Sequence, residues 1–476
     1  MVKYKTQKIV STIGTIIYHI GISSIFPISN LSIFLISYLH FYQRALTLEH
    51  SLFFLPLFSF SMFISNFIHS ILDKLVLLHF IMIIGSIFSI GGLLLMYFFK
   101  EYYIFLIAMS VMGLGFGLGN ISSTKNMLKY YNESSFANTI LSTVDIIGKA
   151  LYTFLGFIIA NDEFKNADDR HYFPLAISQR FFNFILFQIV LIGSTSLISV
   201  LMIFKEKKQV VLKSNYNVLI ENEIESESED EMIKQSVTTV RELAFITGSS
   251  FPIVQKDSRP LILSKKISKF ERVLVLKSFR FWRLVLIQFF ATFFEQCINN
   301  TFIIYGLYKE IPINILLYCA FGLCFFSLWG NFLALIISDK FSFKQIMITK
   351  SIATLGYGVI LFFNTVNVAP NLYVTLCSLC GLLISIGSSP LFHHIVKVYS
   401  KKYAIVIYGY VSMADNISNL VGCLSAFFVV TMREFDRSDL YLYIYYIGVL
   451  GNVVLLILVL FENEKEFIYN KKYNKL

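Results

Sequence analysis

Charged residues are scarce along most of this chain: Asp, Glu, Lys and Arg make up 15% of 476 residues, against 56% apolar residues and a mean hydropathy of +0.67. That balance excludes an ordinary water-soluble protein and places most of the chain in lipid. No small-residue cleavage site follows the first ten residues, MVKYKTQKIV, which carry Lys3, Lys5 and Lys8 ahead of a long apolar stretch. The stretch therefore reads as a first membrane helix and not as a removed signal. Cysteine is missing from the first half; Cys297, Cys319, Cys324, Cys377, Cys380 and Cys423 all fall in apolar runs of the second. Cys377-x-x-Cys380 has no second pair and no His nearby, so helix packing is expected there and neither a metal nor a cofactor. The net charge of +10 is dispersed between apolar runs, without the basic face that a nucleic-acid partner needs.

Runs of about 20 apolar residues mark membrane spans. Twelve can be traced, at 10–39, 51–72, 75–99, 103–124, 136–160 and 181–204, then 273–307, 313–337, 345–365, 371–396, 403–430 and 440–461. The expected fold is an all-α membrane protein of two six-helix bundles, 1–204 and 273–476, joined by a cytoplasmic, partly disordered linker over 205–272. Pro27 and Pro390 predict kinks in the first and tenth spans. With both termini cytoplasmic, most of the 40 Lys and Arg face inside; Arg44, Lys100, Lys165, Arg170, Arg180, Lys309, Arg433 and Arg437 face outside, and Lys149 is mid-membrane. The plasma membrane and an organelle membrane satisfy this equally, and a monomer is expected.

The linker holds an acidic run over 221–231 and a basic approach to the seventh span, Lys265, Lys266, Lys269, Arg272, Lys277 and Arg280. Its composition is that of a solvated segment. Ser226 and Ser228 each precede a Glu by three residues, which suits an acid-directed kinase. Asn132 and Asn416 open glycosylation sequons that would lie inside or in the membrane, so neither is expected to be modified.

The halves repeat at an offset of about 267 residues. Asp73-Lys74 meets Asp339-Lys340, Gly113-Leu114 meets Gly381-Leu382, Lys129-x-Tyr131 meets Lys397-x-Tyr399, and Ala137 meets Ala404. Four matches in order argue for a duplication of six helices in parallel. This layout resembles the major facilitator superfamily, whose loop after the second helix carries Gly-x-x-x-Asp-Arg/Lys-x-Gly-Arg and recurs after the eighth. Here Asp73, Lys74, Asp339 and Lys340 are kept, and the resemblance implies a gating role for them; His69 and Leu335 stand at the glycine positions, and the later Gly-Arg is missing.

Three stretches are similar to the monocarboxylate and oxalate/formate antiporter branch. They are Ser37-Tyr38-Leu39 with Leu46-Thr47-Leu48 and Phe54-Leu55-Pro56-Leu57; Gly113 to Gly119 running on to Lys129-Tyr130-Tyr131-Asn132; and Ser278-Phe279-Arg280-Phe281-Trp282. Glycines 113, 115, 117 and 119 alternate, so they open several sides of one helix to close neighbours. No strand precedes them and no Lys-Ser/Thr follows, which argues against a phosphate loop.

Charges within a membrane are costly and tend to be functional. Four lie near mid-depth, Asp145 and Lys149 in the fifth span, Glu295 in the seventh and Asp415 in the eleventh; the resembled fold lines its cavity with these spans. The third, sixth, ninth and twelfth spans, outer in that fold, carry none at mid-depth, with Lys350 close to an inner end. Asp145 and Lys149 are four apart, acid first, the order favourable for an intrahelical pair. Glu295 has no basic neighbour in its own helix, and burial favours the neutral form of such an acid, so Glu295 is the preferred proton-coupling residue. Asn299 and Asn300 extend its polar face, as Ser412, Asn416 and Asn419 extend that of Asp415.

Further cavity candidates are Tyr18, His19, Ser23 and Asn30 in the first span, Asn120, Ser122 and Ser123 in the fourth, and Ser385, Ser388, Ser389 and His393 in the tenth. His19 is the most telling, because imidazole changes charge near neutrality. Carriers in the resembled branch place bases on the eighth and eleventh helices. Here the eighth span has no base and the eleventh carries Asp415, leaving Lys149 as the mid-membrane countercharge. The expected activity is proton-linked secondary transport of a small organic solute, a monocarboxylate-like anion in preference to a dicarboxylate, with a neutral or cationic solute such as an amino acid as the alternative. A sensor or scaffold acting through the linker is the rival from another class. No paired catalytic motif supports an enzyme.

Overall fold

The computed structural model describes residues 2–128, 130–131, 134–161, 172–225, 278–365, 370–431 and 437–461, all helix, turn or coil without a strand. The helices are α1 (Val2–Ile22), α2 (Pro27–Asn30), α3 (Ser32–Tyr42), α4 (Phe54–Leu75), α5 (Leu78–Phe98), α6 (Tyr102–Leu128), α7 (Ser134–Ala160) and α8 (Leu175–Glu225) in the first half. The second half has α9 (Phe279–Tyr308), α10 (Ile313–Lys340), α11 (Phe343–Thr365), α12 (Pro370–Thr431) and α13 (Arg437–Leu460). Residues 1–203 and 282–476 form one compact unit, and residues 204–281 a second.

Nine helical segments among the described residues are long and apolar enough to cross a membrane. They coincide with the first eight expected spans, except that α8 runs on to Glu225 beyond the expected end at 204, and with the twelfth. Their outward sides carry exposed large apolar residues such as Ile87, Val190, Leu201, Trp329, Ile336 and Leu450. A face of that kind requires lipid in place of water. Of the remaining spans, the ninth is α11, whose Lys344 and Lys350 lower its hydropathy. The tenth and eleventh, expected as separate helices, are continuous in the 62-residue α12. Their connection, 397–402, contains neither Gly nor Pro to end a helix. The start of α12 packs on α10, where the Ser378 hydroxyl donates to the Cys319 carbonyl at 3.4 Å. Its later part meets α4, where the Asn419 amide donates to Ser59 Oγ at 2.8 Å.

The first span is broken, as Pro27 requires. A 3-10 turn at Ser23–Ile25 separates α1 from α2, with Pro27 opening α2. Ser23 and Ser24 donate their hydroxyls back to the Ile20 and Gly21 carbonyls, satisfying acceptors that the break would orphan. The first half closes around α6. A Cβ on Gly115 would lie 2.5 Å from Gly85 O of α5, while Gly113 and Gly117 abut Phe58 and Ser65 of α4, and Gly119 abuts Tyr18 of α1. The alternating glycines therefore bring three helices to one backbone. Cys377 and Cys380 are fully buried free thiols, in keeping with a packing role.

Candidate functional site

A cavity of about 290 Å³ lies between the halves. Phe26, Ser142, Asp145, Ile146 and Lys149 line it from the first half; Gln296, Asn299, Leu323, Cys324, Ser327, Asn331, Ile384 and Ser385 line it from the second. Ser142, Asp145, Ile146 and Lys149 recur at the spacing of one α-helical face, and Gln296 and Asn299 are one turn apart on α9. A smaller void of about 30 Å³ adjoins Asn30, Ser51, Leu55, Asn300 and Cys423, and Asn299 borders both.

The expected Asp145–Lys149 pair is replaced by a contact between helices. His19 Nδ1 lies 2.9 Å from Asp145 Oδ1, and His19 Nε2 lies 2.8 Å from Ser123 Oγ. His19 is fully buried, whereas the Asp145 side chain keeps 19% exposure at the cavity. Lys149 faces the same cavity and makes no ion pair among the described residues. A ring from α1 outcompetes a flexible lysine on the same helix because the break at Ser23–Ile25 holds α1 against α7, with Ser23 beside Gly148.

Glu295 is also placed differently from expectation. It is fully buried, does not line the cavity, and lies 2.7 Å from Lys350 Nζ. Lys350 belongs to the ninth span and is 2% exposed, so it is a buried charge and not a helix-end residue facing water. It also donates to the Ala291 carbonyl, and Thr354 Oγ1 lies 3.4 Å from the same carboxylate oxygen. Reading each helix separately could not show this partner, because it comes from a neighbouring helix.

Asp415 accepts from Gln288 Nε2 at 2.6 Å and from Thr292 Oγ1 at 3.1 Å, both on α9. Asn300 donates to Asn419, whose own amide reaches Ser59 in the first half. Asn30 donates to Thr153 Oγ1 at 3.4 Å, Tyr18 donates to the Met82 carbonyl at 3.1 Å, and Asn120 accepts from Thr124 at 3.3 Å. Ser122 lies 3.0 Å from Nε2 of His69, the residue standing at a glycine position of the loop motif. Ser385 lines the cavity, but the side chains of Ser388, Ser389, His393 and Ser412 lie outside the described residues, as do those of Asp73, Lys74 and Asp339. Lys340 is exposed at the end of α10. Ser226, Ser228 and Asn132 also lie outside the described residues.

Sequence reasoning missed Gln296, Ser142 and Asn331. Helical spacing from Asn299 and Asp145 signals the first two, while Asn331, like Ser327 one turn before it, had no singled-out neighbour on its helix. At the end of the bundle remote from the amino terminus the halves touch directly: Tyr308 donates to Glu49, and Phe427 meets Phe53 with ring centroids 4.2 Å apart.

No curated protein matches the chain significantly. Among solved structures, the crystal structure of a D-xylose-proton symporter matches with a TM-score of 0.60 and 13% identity, over 95% of this chain and 97% of that one. At that identity the likeness concerns the fold. The family model described as the Major Facilitator Superfamily matches residues 11–423, across both halves and the segment between them, and the chain therefore belongs to that superfamily.

Proposed function

We propose that the chain is a proton-linked secondary transporter of a small organic solute, with a monocarboxylate-like anion favoured, working by alternating exposure of the cavity between its halves. Membership of the superfamily makes it a transporter and not an enzyme. The observation that carries the choice of solute is Lys149, a cation turned into the cavity without an ion-pair partner among the described residues. Lys149 is the one cation among the described lining residues, one turn from the Asp145 carboxylate, which suits one carboxylate, and the amides of Gln296 and Asn299 with the Ser142 hydroxyl can bond its oxygens. A dicarboxylate would leave its second charge against Asp145.

Purified protein in liposomes tests this, with uptake of labelled monocarboxylates, amino acids and sugars measured at two pH values. The expected result is monocarboxylate accumulation driven by a proton gradient and lost in Lys149→Met. Normal monocarboxylate transport by that variant would remove Lys149 from the site, and uptake of neutral solutes alone would replace the anion with a neutral substrate. A sensor or scaffold working through the central segment is the second reading, supported by the helical extension of α8 to Glu225. Deleting residues 222–248 separates the two, since a carrier keeps its transport.

A further inference from the structure

We infer that the coupling proton is bound by the Asp145–His19 pair, with Ser123 as the hydroxyl that keeps the imidazole hydrogen-bonded in both of its charge states; the use made of the proton rests on the transport reading above. The argument begins with hydrogen count. A serine hydroxyl has one proton to donate and lone pairs with which to accept. Ser123 Oγ lies 2.8 Å from His19 Nε2 and is also placed to donate to the Asn120 carbonyl at 2.8 Å. It can donate to only one of them at a time.

When His19 is neutral, Nδ1–H donates to the Asp145 carboxylate and Nε2 accepts from the Ser123 hydroxyl. When the pair has gained a proton, Nε2–H donates to Ser123 Oγ, and the hydroxyl proton turns to the Asn120 carbonyl. Every donor has an acceptor in both states, so neither state leaves a buried polar atom unpaired. A ring fixed for structure alone needs only one of these arrangements. The extra proton belongs to the pair as a whole, since acid and imidazole share one short contact. Asp145, with its partial exposure at the cavity, is the point at which the proton enters and leaves.

The surroundings couple this proton to an anion. From α7 Asp145 contacts His19, and Lys149, one turn further on, lines the same cavity as Asp145. From α6 come Ser123 and Asn120, while Lys125 of that helix approaches His69 at 3.5 Å. From α5 and α8 come Ser86 and Ser196, uncharged, bonded to each other at 2.7 Å, with Tyr18 hydrogen-bonded to the Met82 carbonyl. Across the cavity, the second half contributes no charged side chain among the described lining residues. Asp145 and Lys149 then cancel, and a proton on the pair leaves one positive charge that a single anion neutralises. Proton and anion each favour binding of the other, as linkage requires.

Two measurements on the full-length protein test this. In the first, purified chain labelled with 15N-histidine is placed in lipid nanodiscs, and the His19 signals are identified by their loss in His19→Gln. The expected result is a ring that passes from singly to doubly protonated as the medium is acidified. At a fixed pH at which the wild type shows both states, the doubly protonated fraction falls in Ser123→Ala and in Asp145→Asn, and Ser123→Thr restores it. A ring held in one protonation state throughout, or a fraction unmoved by both variants, overturns the proposal. In the second, liposomes containing wild type or His19→Gln take up radiolabelled lactate by exchange and under a proton gradient. Loss of gradient-driven accumulation with exchange retained supports the pair as the coupling site, and unchanged accumulation overturns it. A wild type that moves no lactate refutes the monocarboxylate reading above, and the spectroscopic measurement still decides where the proton binds.

Discussion

Lys350 Nζ lies 2.7 Å from Glu295 Oε1, and neither side chain is exposed. The contact joins α11 to α9 across the interior of the second half, away from the cavity. Its energetics are those of a buried pair, in which losing one partner is worse than losing both. Lys350→Met alone should destabilise the protein by about 3–5 kcal/mol, because it leaves a buried carboxylate uncompensated. Glu295→Gln together with Lys350→Met should recover much of that loss. Thermal unfolding of detergent-purified single and double variants checks this, and an additive double variant would refute the pairing.

Lys149→Met should weaken binding of a monoanion by about 10- to 100-fold, the worth of one charge-assisted hydrogen bond of about 1.5–3 kcal/mol. Lys149→Arg should retain most of the affinity, and a neutral solute should be indifferent to either change. Equilibrium binding of a panel of carboxylates to the purified variants reads this directly.

The glycines of α6 and α5 differ sharply in what surrounds them. Gly115 faces Gly85 and Ser89 backbone atoms, whereas Gly91 has nothing within 4 Å of an added Cβ. Gly115→Val should overpack the seam and cost about 1–3 kcal/mol or more. Gly91→Ala should instead stabilise α5 by up to about 1 kcal/mol, the helix-propensity gain alone. Thermal scans of the two variants should move in opposite directions.

Tyr308 and Glu49 tie the halves together at the end remote from the amino terminus. Tyr308→Phe removes one hydrogen bond to a carboxylate, a loss of about 1.5–3 kcal/mol for the conformation that makes it. The population open at that end should rise accordingly. A cysteine introduced at Ile303, which lines the small void between the halves, should then react faster with an impermeant maleimide. Unaltered labelling would show that this contact does not hold the end closed.

The backbone plan was legible because it rests on properties that each segment carries by itself. Length, apolarity and the breaking power of Pro27 gave the first eight spans and the break in the first. The tenth and eleventh spans were drawn apart because the polar stretch at 397–402 reads as a loop, although nothing in it stops a helix. The cavity was legible on α7, where Asp145 and Lys149 stand out from apolar neighbours. What remained hidden was partnership. Asp145 looked paired with Lys149 because the two are neighbours on one helix, and Glu295 looked unpaired because Lys350 is 55 positions away. Both are questions of which helices meet, which a helix's own periodicity does not record.

The cavity wall is electrically lopsided. Among the described lining residues the charged groups, Asp145 and Lys149, belong to one helix of the first half, while the second half presents amides, hydroxyls, a thiol and apolar side chains. Among the described residues no ion pair therefore spans the cavity. On the transport reading proposed above, a carboxylate held at Lys149 stays with its countercharge on the first half, and the second half serves as an uncharged cover over the cavity.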